Sequence, residues 1–162
     1  MNQLKKLAYN YFFGVSFLLF LSISSLYSQQ PAIEVTVFTD VIDTDSNGVI
    51  SSGDVANFTI KAKNTGNIAL TGITLTASFT GINNSAASLS GGVSYTGSSG
   101  GSSVGNLSIA SGGEVATYVA SYTFNGAGIS AGGVKLSIVA LASSAPLTNN
   151  VSDTSDDAND TD

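Results

Sequence analysis

From Val55 to Asn64 every second residue is apolar: Ala56, Phe58, Ile60 and Ala62 alternate with Asn57, Thr59, Lys61 and Lys63. Successive side chains of a strand leave opposite faces, so this segment predicts a β-strand with one face in a core and the other in water. A helix would also gather Val55, Phe58 and Ala62, but it would turn Ile60 outward and would hold two strand-favouring residues, Thr59 and Ile60. The same code recurs along the chain. Ile33, Val35 and Val37 alternate with Glu34 and Thr36 over 32–39, and Ile73, Leu75, Ala77 and Phe79 alternate with threonine and serine over 68–79. Thr71-Gly72 marks a bulge there, because the phase shifts after Leu70. Ala116, Tyr118, Ala120, Tyr122 and Phe124 share a face over 114–124; Val134, Leu136, Ile138 and Ala140 do so over 134–142. Short strands at 93–96 and 104–109 complete the set, and 81–90 has room for an irregular edge element.

Glycine, asparagine and serine separate these segments, as in Asn64-Thr65-Gly66-Asn67, and the run 91–105 is dominated by Gly and Ser, a composition of mobile connections. No helix is expected after the N-terminal segment. The expected class is all-β, an immunoglobulin-like Greek-key β-sandwich of about seven strands. With no Cys and no Trp, aliphatic residues, Phe58, Phe79 and the Tyr118 stripe must fill its core.

The N-terminus has a different character. Lys5 and Lys6 precede an apolar run from Tyr11 to Leu26, and Ser28 stands just before Gln29-Gln30-Pro31. This is the layout of a secretory signal peptide, read here as residues 1–28 forming a signal helix, with the sandwich over 29–147. An uncleaved membrane anchor is the alternative, although a serine-diluted run of about 16 residues is short for the roughly 20 of a spanning helix. From 148 to 162 five aspartates and no basic residue suggest a solvated acidic linker or tail. A weak cation-collecting segment is the sharper reading of the same residues.

Composition removes several function classes. Beyond residue 28 three lysines face eleven acidic residues, a net −8. Neither nucleic acid nor an anionic membrane surface is an expected partner of such a chain. The sequence has no His and no Cys, so Ser-His-Asp, Cys-His and zinc chemistry are excluded and an enzyme is not expected.

One stretch carries chemistry. In Asp43-Thr-Asp-Ser-Asn-Gly-Val-Ile-Ser-Ser-Gly-Asp54, side-chain oxygens come from Asp43, Asp45, Asn47 and Asp54, the Val49 carbonyl falls at the seventh position, Ser51 at the ninth and Gly48 at the bend. That is the ligand order of a calcium loop, in which a hard cation gathers oxygens from alternate residues of a tightly curling chain. Ile50 would anchor the loop to a core. Asp54 stands where sensor loops carry a bidentate Glu, which points to a weaker or differently shaped site. A metal-free surface turn uses the same residue types, and both readings stay open.

These residues, followed by Phe58-Thr-Ile-Lys-Ala-Lys-Asn-Thr-Gly-Asn67, Leu70-Thr-Gly-Ile-Thr-Leu75 and Gly105-Asn-Leu-Ser-Ile-Ala-Ser-Gly-Gly-Glu114, resemble the conserved-repeat surface domain of bacterial adhesin-like and gliding-motility-associated proteins. The family's pattern has an Asp-rich loop, a strand, an "NTGN" turn and Asp-rich linkers between repeats. Ser51 departs from it, since the family has Asp after the isoleucine. The resemblance implies an immunoglobulin-like sandwich, export to the cell surface, neighbouring repeat domains or surface proteins as partners, glycans among possible ligands, and a structural or adhesive role with one Ca²⁺. Two rivals remain: a carbohydrate-binding module stacking sugars on Tyr118, Tyr122 or Tyr95, and a dockerin-like docking module, which requires a helix after Asp54.

Overall fold

The computed structural model describes residues 29–109 and 112–157, the last two by backbone alone. The expected signal helix over 1–28 lies outside the described residues, as do 158–162. Among the described residues no helix is long and apolar enough to cross a membrane.

Among the described residues eight strands form: β1 Ile33–Ile42, β2 Val55–Asn64, β3 Thr71–Gly81, β4 Ser94–Ser98, β5 Val115–Thr123, β6 Val134–Ser143, β7 Val151–Thr154 and β8 Asp156–Asp157. A short helix, α1 (Gly126–Ser130), sits between β5 and β6. The strands make two sheets, ordered β4-β5-β2-β1-β8 and β3-β6-β7, antiparallel except where β8 runs parallel to β1. Period-two patterning explains why they stack. Val35, Ile60, Ala62, Ile138 and Ala140 are fully buried between the sheets, and their sequence neighbours face outward. An aromatic chain crosses the core, with Phe58, Phe79, Tyr122 and Phe124 each 5.1–5.8 Å from the next ring.

Connections sort to two ends. Loop 43–54, residues 82–93 and α1 share one pole, where Gly53 N donates to Phe124 O, Phe124 N to Asp54 O, and Ile82 N to Gly133 O. At the other pole the turn after β2 meets the β4–β5 connection: Asn64 N donates to Glu114 O (2.9 Å), and Asn64 Nδ2 to Ile68 O and Ser108 O. Gly113 lies in this contact with φ +83°, and a Cβ there would stand 2.2 Å from Asn64 O. Gly113→Ala is therefore expected to lower stability by about 2 kcal/mol, read as a Tm loss of roughly 5–8 °C in a calorimetric melt.

The structure departs from the sequence expectations at four places. First, the sandwich does not end at 147. Residues expected as an acidic tail supply β7, paired with β6 from Val139↔Thr154 to Ala142↔Val151, and then β8 on β1. Val151 is buried, the Asp153 carboxylate accepts from Val35 N, and Ser155 exchanges two hydrogen bonds with Ile138. An edge strand needs little apolar surface, so its charged composition disguised it. Second, 104–109 is not a strand; Leu107 is buried but makes only an isolated bridge to Leu70, and Gly105 at φ +79° breaks the extension. Third, α1 forms in a glycine-rich stretch, started by Asn125, whose side-chain oxygen caps the amides of Ala127 and Gly128. Fourth, β1 runs on past Thr39 to Ile42.

Candidate metal centre

β1 ends at Ile42, directly opposite Val55 where β2 begins. Loop 43–54 thus joins two adjacent antiparallel strands, and it leaves and returns at one point. Within it the chain curls around its own carboxylates. Gly48 (φ +81°) makes the bend that lets its amide reach Asp43 Oδ2 at 2.7 Å, and Asn47 N donates to Asp43 Oδ1 at 3.3 Å. Asp54, 1 % exposed, accepts from Thr44 N (2.8 Å) through one oxygen and from Ser51 N (2.6 Å) and Oγ (3.3 Å) through the other. Asp45 accepts from Asn47 Nδ2 at 2.8 Å and from Ser51 Oγ at 3.3 Å.

The result is an acidic triad that could hold a metal ion: one carboxylate oxygen from each of Asp43, Asp45 and Asp54 lies within 4.8 Å of the others. Two oxygens on opposite sides of a calcium ion at its usual 2.3–2.6 Å would be separated by roughly 4.6–5.2 Å, so the spacing suits a cation of that size. The donors are all oxygen, which selects hard ions over the soft transition metals. Hydrogen bonding, led by the Gly48 amide, holds the Asp43 carboxyl below the usual aspartate range, so the negative charge persists into mild acid.

The Asn47 side-chain oxygen is engaged within the loop, accepting from Val49 N at 2.8 Å, and Val49 itself is 64 % exposed. Ile50 does not anchor the loop, being 54 % exposed. Its place is taken by the buried Asp54 and the paired backbone bonds to Phe124, a role that no hydropathy pattern displays.

A second carboxylate matters as much to the structure and was read from sequence only as the start of a strand. Glu114 is fully buried and accepts from the hydroxyls of Ser98 (2.6 Å), Ser102 (2.8 Å) and Ser108 (2.6 Å) and from the amides of Ser102 and Ser108. Burial by itself would raise its pKa, but the hydroxyls and amide outweigh that cost and hold the carboxyl far below the usual range. The available signal was a lone Glu beside a Ser-rich run.

Tyr118 and Tyr122 lie in the core at 6 % and 4 % exposure, and Tyr95 packs on Tyr118 with its hydroxyl bound to Ser102 O. Tyr118 and Tyr122 offer no free face for stacking a sugar, and Tyr95 is half-buried edge-on against Tyr118. After Asp54 the chain is strand β2, not the helix of a docking module. Compared with family models, curated proteins and solved structures, the chain gives no match.

Proposed function

We propose that this chain is an exported, non-catalytic immunoglobulin-like module that serves as a spacer and adhesion element at a cell surface, with loop 43–54 stiffened by one Ca²⁺. The observation that carries this reading is the convergence of Asp43, Asp45 and Asp54 in a loop joining two core strands. Strand order supports the fold assignment: β4-β5-β2-β1 facing β3-β6-β7 follows the D-E-B-A over C-F-G order of immunoglobulin constant-type domains. The resemblance to bacterial repeat domains supplies the surface setting and the neighbouring repeats as partners.

Asp43, Asp45 and Asp54 would hold the ion, with Asn47, the Val49 carbonyl and Ser51 as candidates for the remaining positions. Bound there, calcium supplies charge neutralisation and cross-linking of the loop. Gly48 and Ser51 preorganise the carboxylates, and Asp54 transmits the loop's order to β2 and Phe124. An ion that binds only the folded state stabilises it by mass action.

Calorimetric titration of calcium is expected to show one site with a Kd of about 10⁻⁴ M, in the range of extracellular calcium modules. At calcium near 100 times that Kd, Tm should rise by roughly 5–10 °C. Both effects should vanish in Asp43→Ala/Asp45→Ala. Absence of binding at millimolar calcium in the parent chain would reduce loop 43–54 to a metal-free turn.

A further inference from the structure

Ile50, the residue expected to anchor loop 43–54, stands exposed with Val49 beside it. It has company at that pole. Ile42 ends β1 at the mouth of the loop, and Ile82 and Ile129 lie in the other segments gathered there, all three exposed. Hydrogen bonds join these segments: Gly53 N donates to Phe124 O, just before the cap of α1, while Gly133 accepts from Ile82 N and donates to Gly128 O of α1. The opposite pole repeats the pattern. Val104 and Ile109 in the β4–β5 connection and Leu147 in the β6–β7 connection are exposed, and both connections flank the start of β3, through the Leu70↔Leu107 bridge and the Thr71↔Ser143 pair. Along the strands between the poles, among the described residues, such exposure is confined to Phe38, Val41, Val119 and Val139, and Lys61 already lies over the Phe38 ring. Apolar surface gathered in this way marks a contact.

Strand direction and charge decide what meets it. β1 starts at the second pole, where Ile33 faces Asn64, and β8 runs beside β1 in the same sense, toward the first. Successive copies of such a module therefore meet at opposite poles. The first pole is acidic, with Asp40, Asp43 and Asp45 exposed or half-buried and Lys135 held by Asn84. Two such poles would repel each other. At the second pole Glu34 and Lys63 pair directly in register, and the Glu114 carboxylate is buried among its serines, so that pole brings little net charge to an acidic neighbour.

We propose that the loop 43–54 pole of one copy packs against the opposite pole of the next, with Val49 and Ile50 seated on Ile109 and Leu147 of that second copy. This rests on the reading of the chain as a repeat module, and it names what holds neighbouring modules in line. The contact is heterologous, so it propagates along an array instead of closing into a pair. Joined by a short linker, neighbours face each other at a millimolar effective concentration, so a Kd of about 10⁻⁴–10⁻³ M between separate copies suffices.

Sedimentation velocity tests this on the chain from Gln29 onward, which holds every strand of the sandwich. EDTA keeps the loop free of metal, and about 0.5 M salt screens its acids. As the concentration rises to about 2 mM, the sedimentation coefficient should climb past that of a dimer without a plateau. Val49→Ser/Ile50→Ser and Ile109→Ser/Leu147→Ser, all at exposed positions, should leave Tm within about 2 °C and should each sediment as monomers throughout. An equimolar mixture of the two variants should form a dimer and nothing larger, because each keeps the pole that the other has lost. A parent chain that stays monomeric, a variant that associates by itself as the parent does, or a mixture that stays monomeric would each overturn the proposal. Since the readout is free of metal, a failed calcium titration leaves this contact standing, and a chain that binds calcium yet never associates sinks the contact alone.

Discussion

A chain ended at residue 147 is expected to lose cooperative folding. Removing β7 and β8 strips from β6 the partners of Val139, Ala140, Leu141 and Ala142 and from β1 those of Thr36 and Val37. It also takes away buried Val151 and the bonds that Asp153 and Ser155 make to Val35 and Ile138. Losing one buried valine costs about 1.5–3 kcal/mol in apolar burial. The broken hydrogen bonds each add about 0.5–1.5 kcal/mol net, against a total stability of only about 5–15 kcal/mol. The truncated chain should show no sigmoidal melt and no near-ultraviolet circular dichroism, whereas a chain ended at 157 should melt like the whole. Equal melting of the 147 and 157 forms would mean that the acidic strand is dispensable.

Glu114→Ala is expected to cost about 3–5 kcal/mol, or roughly 10–15 °C in Tm, because the amides of Ser102 and Ser108 lose their acceptor. Glu114→Gln should cost less, since the hydroxyls can reorient but one amide still meets an NH₂ donor. The carboxyl is also a source of pH dependence. Its folded pKa is depressed, so its contribution is fully present above the unfolded value near about 4.3 and is lost as pH falls through the folded pKa. The difference in stability between parent and Glu114→Gln should therefore be constant from neutral pH to about pH 5 and shrink in more acid solution. A difference that does not shrink would place the effect in packing rather than charge.

The strands that bury a full face were legible. Ala56, Phe58, Ile60 and Ala62 announce β2 because hydrophobic burial imposes the period on the sequence, and the Thr71-Gly72 bulge shows as a phase shift for the same reason. What escaped reading is held by hydrogen bonds. β7 is an edge strand whose Asp153 serves a backbone amide, Glu114 is buried among the hydroxyls and amides of serines 6 to 16 residues before it, and Asn125 starts a helix among glycines. None of these leaves a mark in hydropathy. In the loop, the grouping of Asp43, Asp45 and Asp54 follows from spacing, but the exposure of Ile50 does not, since its fate depends on where Phe124 returns.

The parallel pairing of β8 with β1 has a mechanical consequence. β1 begins at one pole and β8, running alongside it in the same sense, leads toward the other. Tension applied through the two ends of the sandwich pulls these neighbours past each other along their length, so the Thr36 and Val37 rungs must shear together rather than unzip in turn. Such a contact acts as a clamp that resists extension while leaving the rest of the sandwich unloaded.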